Sequence, residues 1–303
     1  MSLEQPAFTS LFPPVIFKSL LFKATNAVRL GSSLDGDAPQ TSRAWLRNTI
    51  KSGLSLEFLS TTTTLKVFLC CSVSKDKNKR ALMDRAVQHL LDIRAIQRVP
   101  AYQIGHGFYS LLFVIPKASG GWRPILALKR LNRYIVYKWF KMQSLQSILA
   151  GIRKDDFLTF IVLTEAYLHI LIRYQHQEFL RFCYLGAHFH YRTLSFGLSS
   201  VPCTFTKILA ALVDHLMAIS ISVQCYFDYI LIQSFSSQHS IEDLQVMIQS
   251  LKHHGFSINM EKSHLTPLTR LLHLGVVTDS VEGKVYLSQE RQDSLKPWWV
   301  GFN

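Results

Sequence analysis

The sequence is short of acid. Twenty Asp and Glu stand against 33 Lys and Arg in 303 residues, a formal charge of +13. That imbalance suits a polyanionic partner, nucleic acid first. Cysteine is scarce too: the five residues Cys70, Cys71, Cys183, Cys203 and Cys225 are odd in number and contain no C-x-x-C pair. Such a set argues against a zinc site or a disulfide framework and fits a reducing compartment. No apolar run reaches the length of a bilayer span, so no membrane partner is expected. The N terminus has no basic segment followed by an unbroken apolar core, because Pro13, Pro14 and Lys18 interrupt the one candidate. The expectation is therefore an intracellular protein, cytoplasmic or nuclear, rather than a secreted one. The G-x-S-x-G, Walker-type and H-E-x-x-H patterns are all missing, as is any internal repeat.

What is present is material for a core. Hydrophobic residues make up 48% and aromatics 12%, enough for one large domain or two ordinary ones. Residues 1–80 read as an N-terminal extension, flexible in part at GSSLDGDAPQTS (31–42), with a low-complexity patch at Thr61–Thr64 and a basic, solvated loop at KDKNKR (75–80). From residue 81 the signals sharpen. Leu82, Met83, Ala86, Val87, Leu90 and Leu91 recur at helical spacing. SLLFVIP (110–116) and WRPILAL (122–128) flank a turn at Gly120-Gly121 and predict a hairpin. LTFIVL (158–163) reads as a buried strand. RFCYLG (181–186) and HFHYRTL (188–194) read as a second hairpin. In the latter, His188 and His190 share a strand face; without a telling acidic or cysteine partner they read as facing solvent or nucleic acid rather than metal. VPCTFTKILAALVDHL (201–216) predicts a helix. So does SIEDLQVMIQSLKHHG (240–255), with Ser240 at the N-cap and Gly255 closing the C-terminus. Irregular interleaving of strands and helices favours an α+β fold over a regular βαβ array.

One stretch resists a purely structural reading. CYFDYILI (225–232) sets a single carboxylate, Asp228, inside an apolar run, where an unpartnered charge is costly. It is flanked in order by FVIPKASGGWRPILALKRLN (113–132), FIVLTEAYLHI (160–170), LSFGLSSVPCTFTKIL (194–209), HGFSINMEKSHL (254–265) and LLHLG (271–275). This series, over residues 104–294, resembles a retroelement reverse transcriptase, and most closely those of the DIRS-type, tyrosine-recombinase retrotransposons.

The resemblance implies right-hand polymerase fingers and palm across 81–294, with the thumb mostly or wholly missing and 295–303 a truncated tail. It places the fingers in 81–160 and the palm around 158–170 and 194–275. The implied partners are an RNA template, a DNA primer or RNA–DNA hybrid, and deoxynucleotide triphosphates. The implied cofactor is Mg²⁺, two ions held about 3.5–4 Å apart by carboxylates. In the family, one Asp lies on the second motif's strand and two lie at the hairpin turn.

Here Asp228 matches the first turn aspartate, while Val162 and Tyr229 stand where the other two belong. Glu165, at an odd offset along the strand, points away from position 162 and does not replace the lost ligand. Losing one preorganised group costs an enzyme roughly 2.7–4 kcal/mol, and losing two metal ligands costs more, so polymerase activity is expected to be lost. Other implied roles keep their residue types. Arg123 and Lys117 match the triphosphate clamp, Tyr167 the gate against a ribose 2′-hydroxyl, and Phe196 and Gly197 the contact to template and incoming base. Lys262 matches the lysine beside the leaving pyrophosphate, and Leu274 and Gly275 match the primer grip. Taken singly each has an ordinary reading: Arg123 a surface ion pair, Tyr167 and Phe196 core aromatics, Lys262 a solvated chain. Ala127, Ser195 and Leu171 depart from the family pattern as well.

Overall fold

The computed structural model describes residues 39–59, 68–71, 75–117, 121–140 and 142–299. In chain order its helices and strands are α1 (Pro39–Ser52), α2 (Lys77–Asp92), β1 (Ile96–Arg98), β2 (Leu112–Pro116), β3 (Trp122–Leu126), α3 (Lys129–Asn132), α4 (Leu145–Ala150), β4 (Phe157–Val162), β5 (Arg181–Tyr184), β6 (Ala187–Tyr191), α5 (Val201–Met217), β7 (Ser222–Tyr226), β8 (Tyr229–Ser234), α6 (Ser237–His253), β9 (His264–Leu268), β10 (Arg270–His273), β11 (Val276–Asp279), β12 (Lys284–Leu287) and α7 (Gln289–Trp299). They fall into two units, one built from Gln40–Lys138 and Tyr167–Val201, the other from Trp139–Ala166 and the chain from Pro202 onward.

In the first unit the two hairpins expected from sequence both form. Strands β2 and β3 pair from Leu112↔Leu126 to Pro116↔Trp122, and the Lys117 amide donates to the Gly121 carbonyl at 3.0 Å; Gly120 lies outside the described residues. Strands β5 and β6 pair through a turn at Leu185-Gly186, both with positive φ (50° and 74°), the backbone that tight hairpins require. Strand β1 adds to the far side, giving the order β1-β6-β5. Because β6 is central, His190 is buried, at 3% exposure. That corrects the expectation of a histidine pair facing solvent. Burial, then the charges of Arg181 and Arg192, push the His190 imidazole down to about 4. His188 instead meets the Tyr109 hydroxyl, at 3.1 Å.

The basic run KDKNKR, expected as a loop, is the start of a helix. Asp76 is the N-cap of α2, its side chain accepting from the Asn78 and Lys79 amides at 2.8 and 3.4 Å. An anionic cap offsets the unfavourable placing of lysines at the positive helix end. Part of the stretch read as an N-terminal extension is built into this unit. Leu54 donates its amide to the Leu171 carbonyl (2.7 Å), and Glu57 accepts from the Val136 amide (2.8 Å). Of the segment 31–42, residues 39–42 open α1 and the rest lies outside the described residues, as does the Thr61–Thr64 patch.

The second unit is organised by a four-stranded antiparallel sheet of order β7-β8-β4-β9. Thr159, Ile161, Ile230 and Ile232, each 0% exposed, are its most deeply buried positions. Helix α6 buries the stripe Leu244, Met247 and Leu251. Its N-cap is Ser236, whose hydroxyl accepts from the His239 amide at 3.2 Å; Ser240, expected at that position, is fully buried one turn inside. Gly255 closes the helix at φ +80°, as its sequence position suggests. The alternate residues of β4 and β8 meet a second cluster, in which Ile148, Leu158, Leu231 and Leu271 are joined by Phe160, Tyr226 and Leu274. Strands β10, β11 and β12 form a meander; its first turn is Leu274-Gly275, again with two positive φ values (50° and 77°).

Candidate functional site

Strands β7 and β8 are joined by the two-residue turn Phe227-Asp228, closed by the Tyr226↔Tyr229 pair. Phe227 takes φ +52°, a conformation unusual for a bulky side chain and held only where the surroundings fix it. Asp228 is half-buried. Its carbonyl accepts from the Leu163 amide at 2.9 Å, which ties the turn to the end of β4. One step back in each strand, Val162 and Tyr229 pair directly. The structure thus brings together the three positions that the sequence singled out for metal binding.

What these positions carry is apolar. Val162 is 3% exposed. The Tyr229 ring packs edge-on against His273 (centroids 5.7 Å apart) and near Phe160 (6.5 Å). Burial, and then the Asp228 charge, raise the Tyr229 phenol above its ordinary value, so it stays neutral at physiological pH and is a poor metal ligand. His273, 6% exposed, contacts Phe160 at 5.1 Å. Burial depresses its imidazole to about 4. Glu165 lies beyond the end of β4 with φ +47°, so the strand-parity argument does not apply to it; it sits in a turn. Among the described residues no three His, Cys, Asp or Glu side chains are grouped to hold a metal ion. The single carboxylate at the turn does not fit a two-metal centre, which needs several anionic oxygens.

The loop after α6 is fastened to the same strand end. The Asn259 amide donates to the Val162 carbonyl (2.8 Å) and the Thr164 amide to the Ser257 carbonyl (2.8 Å). Ser263 Oγ accepts from the Val162 amide (2.9 Å) and donates to the Asn259 carbonyl (2.6 Å). Lys262 projects from this loop, exposed, its amide bonded to Asn259 Oδ1 at 3.1 Å. Leu274 packs on the apolar cluster under the sheet. A Cβ on Gly275 would run into the Arg291 side chain.

Of the residues that the resemblance assigns to the nucleotide, Lys262 lies in the second unit and the other five in the first, including three (Tyr167, Phe196 and Gly197) that the sequence placed with the palm. The Arg123 guanidinium lies over the Phe196 ring, 4.7 Å from its centroid. Tyr167 meets the same ring edge-on at 5.1 Å. Arg123, Phe196 and Tyr167 are therefore one stack rather than a surface ion pair and two separate core aromatics. Gly197 has φ +107°, and a Cβ there would overlap the Leu126 carbonyl. The Leu126 amide donates to the Phe196 carbonyl at 3.1 Å, stitching β3 to this loop. Asn132, which the sequence reading passed over, clamps it from the other side: Nδ2 donates to the Gly197 carbonyl (2.8 Å), and Oδ1 accepts from the Ser199 amide (3.0 Å). Lys117 is half-buried beside the β2–β3 turn. Ser263 and His273 were likewise missed; each is polar in an otherwise apolar or solvated stretch, a signal too weak to read without the fold.

Comparison with known proteins agrees with this arrangement. A family model described as reverse transcriptase (RNA-dependent DNA polymerase) matches residues 115–282, over half of the chain. The Transposon Tf2-3 polyprotein of Schizosaccharomyces pombe is 29% identical over 149 residues, and the Tf2-7 polyprotein of the same yeast is 28% identical over 149. Each alignment covers 49% of this chain and 11% of the relative, so the chain spans a small part of the polyproteins it matches. Among solved structures, a foamy viral protease–reverse transcriptase in complex with double-stranded DNA superposes with a TM-score of 0.69 at 16% identity, covering 97% of this chain and 51% of that one. The foamy viral enzyme with an RNA/DNA hybrid gives 0.65 at 17%, covering 81% and 31%. These likenesses carry the fold, that of reverse-transcriptase fingers and palm. With six motifs in order, a palm hairpin at Asp228 and a family match over most of the region they span, the chain belongs to the reverse transcriptase family.

Proposed function

We propose that this chain is the reverse-transcriptase domain of a retroelement Pol polyprotein that binds template–primer nucleic acid but no longer performs nucleotidyl transfer. The observation that carries it is the Val162–Tyr229 pair. Both positions that the family fills with metal-binding aspartates are built into an apolar and aromatic face. Asp228 alone offers too little charge to hold two Mg²⁺ ions against the attacking and leaving oxygens. The binding half of the reading rests on different residues. A charge of +13 favours a polyphosphate, and the Arg123–Phe196–Tyr167 stack offers a cation and two half-exposed aromatic rings for a triphosphate and its base. The foamy viral relatives of this fold are solved with double-stranded DNA and with RNA/DNA hybrid; the same partners are assigned here. The DIRS-type lineage belongs to this proposal too, supported by the wording of the motifs from FVIPKASGG to LLHLG.

The test is primer extension on an RNA template with Mg²⁺ or Mn²⁺, beside an Asp228→Ala control. The expected result is no template-dependent product above the control. Binding of a labelled RNA–DNA hybrid is expected to need no Mg²⁺, persisting in EDTA, and to weaken steeply with salt. Extension above the control overturns the catalytic half; salt-insensitive or undetectable binding overturns the other.

A further inference from the structure

Cys70 and Cys183 stand 113 positions apart in sequence, yet their sulfurs are 3.0 Å apart. The contact is built into the backbone. Cys70 forms a parallel β-bridge with Cys183, and the next residue along, Cys71, donates its amide to the Cys183 carbonyl at 2.9 Å. Bridged strands run about 4.7–4.9 Å apart, inside the Cα separation that a disulfide spans. Phe68, two residues earlier, lies against the Tyr109 ring (5.0 Å) and the His188 ring (5.9 Å), so the short segment 68–71 is held on the β1-β6-β5 sheet by one ring and one sulfur. The third thiol of the group is otherwise engaged: Cys71 Sγ accepts from the Leu112 amide at 3.1 Å.

We infer that Cys70 and Cys183 form a reversible redox site, in which a small disulfide such as glutathione disulfide oxidises the pair and fastens segment 68–71 to strand β5. Cys70 is the exposed member and Cys183 is buried, which fixes the order of events. The Cys70 thiolate attacks one sulfur of glutathione disulfide; a Cys70–glutathione bond forms and one glutathione leaves. The Cys183 thiol loses its proton to solvent, and its sulfur attacks Cys70; the protein disulfide forms and the second glutathione leaves. Two protein thiols are oxidised and one glutathione disulfide is reduced to two glutathiones. Burial raises the Cys183 thiol well above its ordinary value, so the second step is the slow one and quickens with pH. The bond would close a long loop, the geometry in which a crosslink constrains the unfolded chain most.

The experiment is incubation of the reduced chain with excess glutathione disulfide at pH 7 and pH 8.5, then alkylation of free thiols, peptide mapping without reduction, and limited proteolysis. The expected result is loss of two of the five thiols, a Cys70–Cys183 crosslinked peptide, faster closure at the higher pH, and slower cleavage between residues 60 and 80. Cys183→Ser should accumulate the Cys70–glutathione adduct without a crosslink, and Cys225→Ser should behave as the parent. A crosslink through Cys71, or a stable adduct on Cys70 in the parent chain with no crosslink at either pH, overturns the assignment. Because the readout is a bond and not binding or extension, it stands or falls separately from the proposed function.

Discussion

Val162 and Tyr229 face each other across the β4–β8 ladder, one residue from the turn that presents Asp228. Directly paired residues on antiparallel strands put their side chains on the same face. Carboxylates at both positions, with Asp228 at the adjoining turn, would converge on a shared cation; a valine and a tyrosine face each other instead, and the tyrosine ring packs on His273. The same register thus serves either a charged or an apolar cluster, and the side chains decide which.

Restoring both carboxylates is therefore a direct trial. Val162→Asp with Tyr229→Asp should regain template-dependent extension in Mg²⁺, and either change alone should give little. The double variant should be less stable than the parent in EDTA, by roughly 3–5 kcal/mol for a buried charge without its partner. Mg²⁺ should recover part of that in a thermal melt, while the parent's Tm stays indifferent to Mg²⁺.

Gly197 tests the loop under the stack. At φ +107°, with the Leu126 carbonyl in the way of a Cβ, Gly197→Ala should cost at least about 1–3 kcal/mol in urea unfolding. Asn132→Ala removes both side-chain bonds to the same loop and should cost about 1–3 kcal/mol. Because the two share one loop, their effects should sum to less than the separate losses.

Arg123 tests binding rather than folding. Arg123→Ala should weaken binding of a deoxynucleotide triphosphate and lower the slope of log K against log salt, with little change in Tm. Arg123→Lys keeps the charge but loses the planar stack on Phe196, so it should restore the slope without restoring the affinity.

Two buried histidines set a pH dependence. His190 and His273 are each pushed from 6.5 to about 4. The unfolded chain takes up their protons at a higher pH than the folded one. Stability from each is complete above about pH 6.5 and declines as pH falls toward 4, at up to about 1.4 kcal/mol per pH unit per histidine. Urea unfolding at pH 7, 6 and 5 should show that fall, and His273→Phe should remove part of it.

The elements readable in advance are those whose signals are local. The hairpins at 112–126 and 181–191 follow from apolar runs separated by glycine-bearing turns, and the α6 stripe follows from period alone. The corrections arise where tertiary context outweighs local chemistry. Ser240 has good N-cap spacing, but Ser236 lies one turn earlier, and the buried stripe continues past Ser240. KDKNKR is solvated as it looks, but it is helical from Lys77 because Asp76 caps it. His190 looks like surface until a third strand, β1, covers it. In the site, residue identities were legible from the motifs, whereas the stack of Arg123 on Phe196 and the clamp by Asn132 were not. Those contacts join positions 65 or more residues apart, and no spacing in the chain announces them.

The bonds that hold residue 162 in place are all made by its main chain: its amide to Ser263 Oγ, its carbonyl to the Asn259 amide, and its neighbour Leu163 to the Asp228 carbonyl. None depends on what the side chain is. A frame fastened in this way is blind to the residue it carries, so a lineage released from the need to copy nucleic acid can change position 162 while every strand keeps its register. Architecture would then outlast catalysis, and within this fold a well-formed hairpin is a record of ancestry more than a measure of activity.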